Sequence, residues 1–165
     1  MQAPTKSFEV IELLTRHHVD FIVVGMTAAV LQGAPAVTFD LDILYSRDAD
    51  NIERTLEALR ELDAVFRGDQ RRLVPDESHL QSRGHKLLMT KFGIVDVLGS
   101  LGELDYADVI SDAVTLRIEQ MDVRVLSLAR LIEVKTEAGR EKDLAVLPLL
   151  RATLARTREP GSKSQ

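Results

Sequence analysis

Residues 21–45 read FIVVGMTAAVLQGAPAVTFDLDILY. The run Phe21-Ile22-Val23-Val24 is wholly apolar and mostly β-branched, and it ends at Gly25, which predicts a short buried strand. Thr27 to Gln32 predicts a helix that Gly33-Ala34-Pro35 breaks. Phe39 to Tyr45 predicts a second strand, and there Asp40 and Asp42 interrupt an otherwise apolar pattern. Aspartate is disfavoured in strands. Side chains two apart in a strand share a face, and their Cα atoms lie about 6.5–7 Å apart. Two carboxylates so placed repel, and one tends to keep a proton unless a cation joins them. Mg²⁺ suits the pair, because it takes oxygen ligands from one or two carboxylates plus substrate phosphates. The plainer alternative is an edge strand carrying two ordinary surface acids.

Outward from this segment, Ser7 to His18 has apolar residues at helical spacing, with Ser7 as a candidate N-cap. Asp48 is placed to cap a long amphipathic helix bearing Ile52, Leu56, Leu59 and Leu62 on one face. The stretch from Gly68 to Gly84 is polar and reads as a loop. Lys86 to Thr90 and Ile94 to Leu98 predict two strands, and Asp96 is a lone carboxylate inside the second. If that strand lies beside the Asp40/Asp42 strand, three carboxylates face one site; otherwise Asp96 is a single acid at a sheet edge. Asp105 to Ile110 predicts one or two helical turns, and Val114 to Ile118 with Val123 to Leu126 another strand pair. Ser127 is an N-cap candidate for a helix to about Ala138, and Gly139 stands where a helix end often needs positive φ. A last helix is expected from Glu141 to about Ala155. Residues 1–126 thus form a core, 127–156 two helices packed on it, and 157–165 a flexible polar tail. The element order predicts an α/β or α+β sheet with packed helices.

The bulk composition narrows the function. The chain has 165 residues and no cysteine, so disulfides and thiolate metal sites are excluded. No run approaches the ~20 apolar residues of a membrane span, and the N-terminus lacks the apolar stretch of a signal peptide, so a cytoplasmic protein is expected. A net charge of -5 and the absence of tryptophan argue against a general nucleic-acid binder or a base-stacking platform. Arg67, Arg71 and Arg72 could still form a local basic patch. The four histidines lack zinc-like spacing, and Gly99-Ser100-Leu101-Gly102 lacks the ending of a P-loop. Gly25, between a strand and a helix, either makes a tight turn or presents backbone N–H groups to a phosphate.

Taken together, the strand, the Gly25 turn, the helix and the Asp-x-Asp strand resemble the nucleotidyltransferase superfamily, the DNA polymerase β-like fold. Gly25, Ala28, Gly33, Pro35, Thr38, Asp40 and Asp42 stand in register with the pattern of small bacterial members, including abortive-infection toxins. Asp96 matches their third carboxylate, and Ser127 to Leu150 is similar to their helical tail at Lys135, Gly139-Arg140 and Lys142-Asp143. Two positions depart from the pattern: Met26 replaces the second glycine of the turn, and Ala36 the arginine before Thr38. The resemblance implies an α+β nucleotidyltransferase-like mixed sheet with flanking helices and a C-terminal helical pair. It implies transfer of a nucleoside monophosphate from an NTP to a hydroxyl on protein, RNA or a small molecule. Asp40, Asp42 and Asp96 would be the catalytic carboxylates and would bind Mg²⁺ (two ions in the family scheme) or Mn²⁺. Gly25, Met26, Thr38, Lys135 and Arg140 would contact the nucleotide; the plainer alternative for Lys135 and Arg140 is that basic residues near a helix C-terminus complement its dipole. The departures raise a second expectation, an inactive module that binds a protein partner as an antitoxin does. A receiver-like α/β domain fits less well, because Asp40 and Asp42 come early in their strand.

Overall fold

The two apolar runs around Asp40 and Asp42 become neighbouring central strands. The protein is described here by a computed structural model covering residues 3–158. Helix α1 (Ser7–Arg16) is followed by β1 (Phe21–Val24), α2 (Gly25–Leu31), β2 (Leu41–Tyr45), α3 (Ala49–Glu61) and β3 (Val65–Phe66). Then come α4 (Glu77–Gln81), β4 (His85–Thr90), β5 (Gly93–Leu98), α5 (Tyr106–Val109), β6 (Ala113–Ile118), β7 (Met121–Leu126), α6 (Leu128–Ala138) and α7 (Glu141–Arg158). The strands form one mixed sheet in the order β3-β4-β5-β2-β1-β7-β6. β2 runs antiparallel to β1 and parallel to β5. This is the α+β arrangement expected from the sequence, with α6 and α7 as the C-terminal pair.

The burial pattern shows which face is open. All four residues of β1 are buried, so helices cover both of its sides. β4 alternates instead: Lys86, Leu88 and Thr90 are buried, while His85, Leu87 and Met89 are exposed. Leu87 pairs directly with Asp96, so both point to the same side. That face is open along β4, whereas in β2 and β5 it opens only around Asp42 and Asp96, because Leu44, Ile94 and Leu98 on the same side are buried.

Several boundaries differ from the sequence reading for physical reasons. β2 starts at Leu41 rather than Phe39. The Phe39 carbonyl accepts from Thr5 N–H and Oγ1, and the Asp40 carbonyl accepts from the hydroxyls of Thr27 and Thr38. These side chains and the N-terminal segment satisfy backbone groups that a sheet ladder would otherwise take. The polar stretch expected as loop contains α4, whose N-terminus is closed by a reciprocal capping box between Asp76 and His79. Ser7 is the first helical residue of α1, not its cap. Ser127 does cap α6, accepting from Arg130 N–H, and Gly139 ends it at φ +64°. Thr157 and Arg158 continue α7; the rest of the expected tail lies outside the described residues.

Two buried polar side chains tie the strands to their connections. Asn51, on α3, donates through Nδ2 to the carbonyls of Asp20 and Ser46 and accepts the Asp20 N–H at 2.7 Å. It thereby clamps the entrance of β1 to the exit of β2. Lys86 donates to Tyr45 Oη at 2.8 Å and to the carbonyls of Ser82 and Gly84, and burial pulls its amine down to about 8. Asn51→Ala should cost about 2–3 kcal/mol, because it strands buried backbone groups. Urea unfolding should show this as a lower midpoint with an unchanged slope.

Candidate active site

Asp42 and Asp96 are direct partners across the parallel pair β2/β5. Neighbouring strands lie about 4.8 Å apart, so the two carboxyl groups rise side by side from the sheet. Asp40 stands two residues ahead of Asp42, at the mouth of β2. Burial raises the Asp42 carboxyl from 3.8 to about 7; the charge of Asp96, a hydrogen bond to Asp96 and the charge of Asp40 push the same way, and Lys135 opposes them. The three aspartates singled out in the sequence thus act on one another, and Asp42 is central.

Gly25 makes room for that centre. Its φ is +67°, and a Cβ there would stand 2.3 Å from Asp42 Oδ2. The turn is a glycine because the carboxylate occupies the space of a side chain. A cleft of about 560 Å³ opens beside it, lined by Met26, Val37, Thr38, Phe39, Asp40, Asp42 and Lys135. Its size is that of an ordinary small-molecule site. Thr38 lines the cleft and also donates to the Asp40 carbonyl at 3.0 Å, so it positions the first aspartate.

Lys135 reaches the cleft from α6, held from behind by Asp143. The Asp143 side chain is 0% exposed. It accepts from Lys135 Nζ at 3.2 Å and from Arg140 Nε at 2.5 Å, and these bonds hold its carboxyl below the usual range. Arg140 does not line the cleft: its guanidinium is largely exposed and pairs with Asp143. The structure therefore brings Gly25, Met26, Thr38, Asp40, Asp42, Asp96 and Lys135 to one region, and sets Arg140 behind them.

Sequence reasoning missed Asp143 as the anchor of Lys135, Thr27 as a second donor to the Asp40 carbonyl, and Asp96 as the partner of Arg67. Arg67 Nη1 donates to Asp96 Oδ1 at 3.0 Å, and Arg71 pairs with Asp69. Two members of the suspected basic patch are therefore already neutralised. A more open hollow of about 480 Å³ lies along the β3–α4 connection, lined by Phe66, Arg67 and Leu73 among others, and includes none of the three aspartates. Among the described residues, no three acidic, imidazole or thiol side chains are gathered so as to enclose an ion. The donor set nevertheless suits a hard divalent cation, being all carboxylate oxygen with Asp42 short of positive charge.

The raised Asp42 carboxyl has a stability consequence. The folded protein keeps a proton that the unfolded chain has lost between about pH 4 and 7. The associated stability is fully present below pH 4 and is lost as pH rises through about 7. Asp42→Asn removes that loss, so the metal-free variant should exceed the parent at pH 8 by roughly 1–3 kcal/mol and match it near pH 4. Denaturant unfolding at the two pH values checks this. Gly25→Ala should destabilise by roughly 2–4 kcal/mol at any pH, through its φ and the clash with Asp42, which a thermal melt would register.

Neither a protein-family model nor a curated protein matches the chain by sequence. Solved structures match it in fold. A Thermotoga maritima protein provisionally assigned as a nucleotidyltransferase superposes with a TM-score of 0.56 at 18% identity, over 90% of this chain and 89% of its own. The lincosamide antibiotic adenylyltransferase LnuA, bound to lincomycin, gives 0.62 at 13% identity over 92% and 99%. An antigenic nucleotidyltransferase-like protein from Paracoccidioides brasiliensis gives 0.54 at 15% over 97% and 81%. At these identities the likeness is one of architecture, and this chain has the nucleotidyltransferase fold.

Proposed function

We propose that the chain transfers a nucleoside monophosphate from an NTP to an acceptor hydroxyl, with Asp40, Asp42 and Asp96 as its catalytic carboxylates. The observation that carries this reading is the Asp42–Asp96 pairing beside Gly25. Asp40, Asp42 and Asp96 would hold Mg²⁺ or Mn²⁺. A bound divalent ion supplies charge neutralisation at phosphate oxygens and acidifies an acceptor hydroxyl. Lys135, fixed by Asp143, offers a cation to a phosphate in the cleft. Gly25 keeps backbone and carboxylate in contact, and Asp96 would take the acceptor proton. Arg140 acts through Asp143, as a support for Lys135.

A second reading keeps the fold without the chemistry, as a module that binds a protein partner. Met26 favours it, because its long side chain lines the cleft where the sequence pattern has glycine. A toxin–antitoxin setting would suit either reading. Labelled ATP is the first donor to test, since one of the structural neighbours is an adenylyltransferase. Incubated with Mg²⁺ and candidate protein, RNA and small-molecule hydroxyl acceptors, the parent should transfer label. Asp42→Asn and Asp96→Asn should lower the rate at least about 100-fold. No transfer from any NTP, with a partner retained by the Asp42→Asn protein, would select the second reading.

A further inference from the structure

Asp96 already has a cationic partner. Arg67 Nη1 donates to its Oδ1 at 3.0 Å, and Asp42 is its direct neighbour across the β2/β5 pair. The ion pair is sheltered, with Asp96 14% and Arg67 30% exposed. A guanidinium and a hard cation seek the same feature of a carboxylate, its in-plane lone pairs. With the guanidinium on Oδ1, a cation taken up between Asp42 and Asp96 would lie within a few ångström of it, and the two positive charges repel.

The fold decides which of the two partners can yield. Asp96 is held in the middle of β5, with β2 on one side and β4 on the other. Arg67 hangs from the sheet edge. The two-residue strand β3 ends at Phe66, and Gly68 and a loop up to Asp76 follow. Its backbone is attached by one hydrogen bond to Leu87, and its guanidinium touches one further group, the Leu88 carbonyl, at 3.4 Å.

We propose that Arg67 is the resident counter-ion of the carboxylate cluster, and that a divalent cation binds by displacing it from Asp96. The idea rests on the nucleotidyl-transfer reading only in so far as that reading calls for a cation at Asp42 and Asp96. Arg67 is a positioning residue in this scheme. It holds Asp96 upright in the metal-free protein and sets the threshold for cation binding.

The test is a titration of Mn²⁺ at pH 8, with free ion read by electron paramagnetic resonance. The proteins are the parent, Arg67→Gln, Arg67→Lys and the charge control Arg71→Gln, whose guanidinium is held by Asp69. Arg67→Gln should bind Mn²⁺ about tenfold more tightly, the range in which one competing contact couples to binding. Arg67→Lys should lie nearer the parent, and Arg71→Gln should equal it. In the parent, phenylglyoxal labelling of Arg67, followed by peptide mass, should rise severalfold when Mn²⁺ is added. Unchanged or weaker affinity in Arg67→Gln, or unchanged labelling in the parent, overturns the proposal. The labelling arm decides alone if Arg67→Gln fails to fold. Should neither the parent nor Arg67→Gln bind Mn²⁺ at millimolar concentration, the cation falls from both readings. Tighter binding in Arg67→Gln without label transfer from any NTP would leave Arg67 displacement standing and remove transfer alone.

Discussion

The juxtaposition of Asp42 and Asp96 across a parallel strand pair is the constraint on which the rest of the site depends. It is fixed by hydrophobic patterning and not by the acids themselves. Leu41, Ile43 and Tyr45 alternate with Asp42 along β2 and are wholly buried. A one-residue slip of β2 would carry a buried apolar side chain to the opening where Asp42 stands and bury the carboxylate. Losing that apolar burial, and sinking a charge, would each cost several kcal/mol. The core therefore places the aspartates, and the sheet register is the device that does it.

Charge balance follows from that placement. Two cations approach the acidic cluster from separate elements: Lys135 from α6 and Arg67 from the edge strand β3. They are held differently. Lys135 is braced by a fully buried carboxylate that Arg140 also grips, so its position belongs to the packed α6–α7 pair. Arg67 is attached to an edge with a loop behind it. A rigid cation beside the cleft and a yielding one beside Asp96 give the site a fixed side and a changeable side. The proton kept by Asp42 toward neutral pH is the remaining compensation, and the stability it costs as pH rises is that of a site built for charge it does not itself supply.

Much of the fold was legible in the sequence because its signals are local. The apolar runs of β1 and β2, the Ser127 cap and the Gly139 terminus are each written in a few adjacent residues. The Asp40/Asp42 pair was legible for the same reason: acids are out of place in an apolar strand. Boundaries set by distant groups were not. Nothing near Phe39 says that Thr5 will take its carbonyl, and nothing near Asp40 says that Thr27 will, so β2 reads two residues too long. The pairings of Arg67 and Asp143 escaped for a related reason. Each residue is one charge in a polar neighbourhood, and each gains its meaning from a partner 29 or 8 positions away.

The cleft joins two chemistries that the sequence interleaves at Val37-Thr38-Phe39-Asp40. Part of its lining is apolar and partly exposed: Met26, with Val37 at 78% and Phe39 at 46%. Large apolar side chains this exposed beside charged groups mark a binding surface more often than a packing error. The rest is polar or charged: Thr38, Asp40, Asp42 and Lys135. A nucleotide combines the same two chemistries, a planar ring and an anionic chain. Met26 is compatible with such a ligand, because an unbranched thioether can repack where a β-branched residue could not. The glycine-to-methionine departure then becomes a change in the apolar part of the lining. The acidic part, on which the chemistry would turn, keeps its geometry through Gly25, where a Cβ would collide with Asp42.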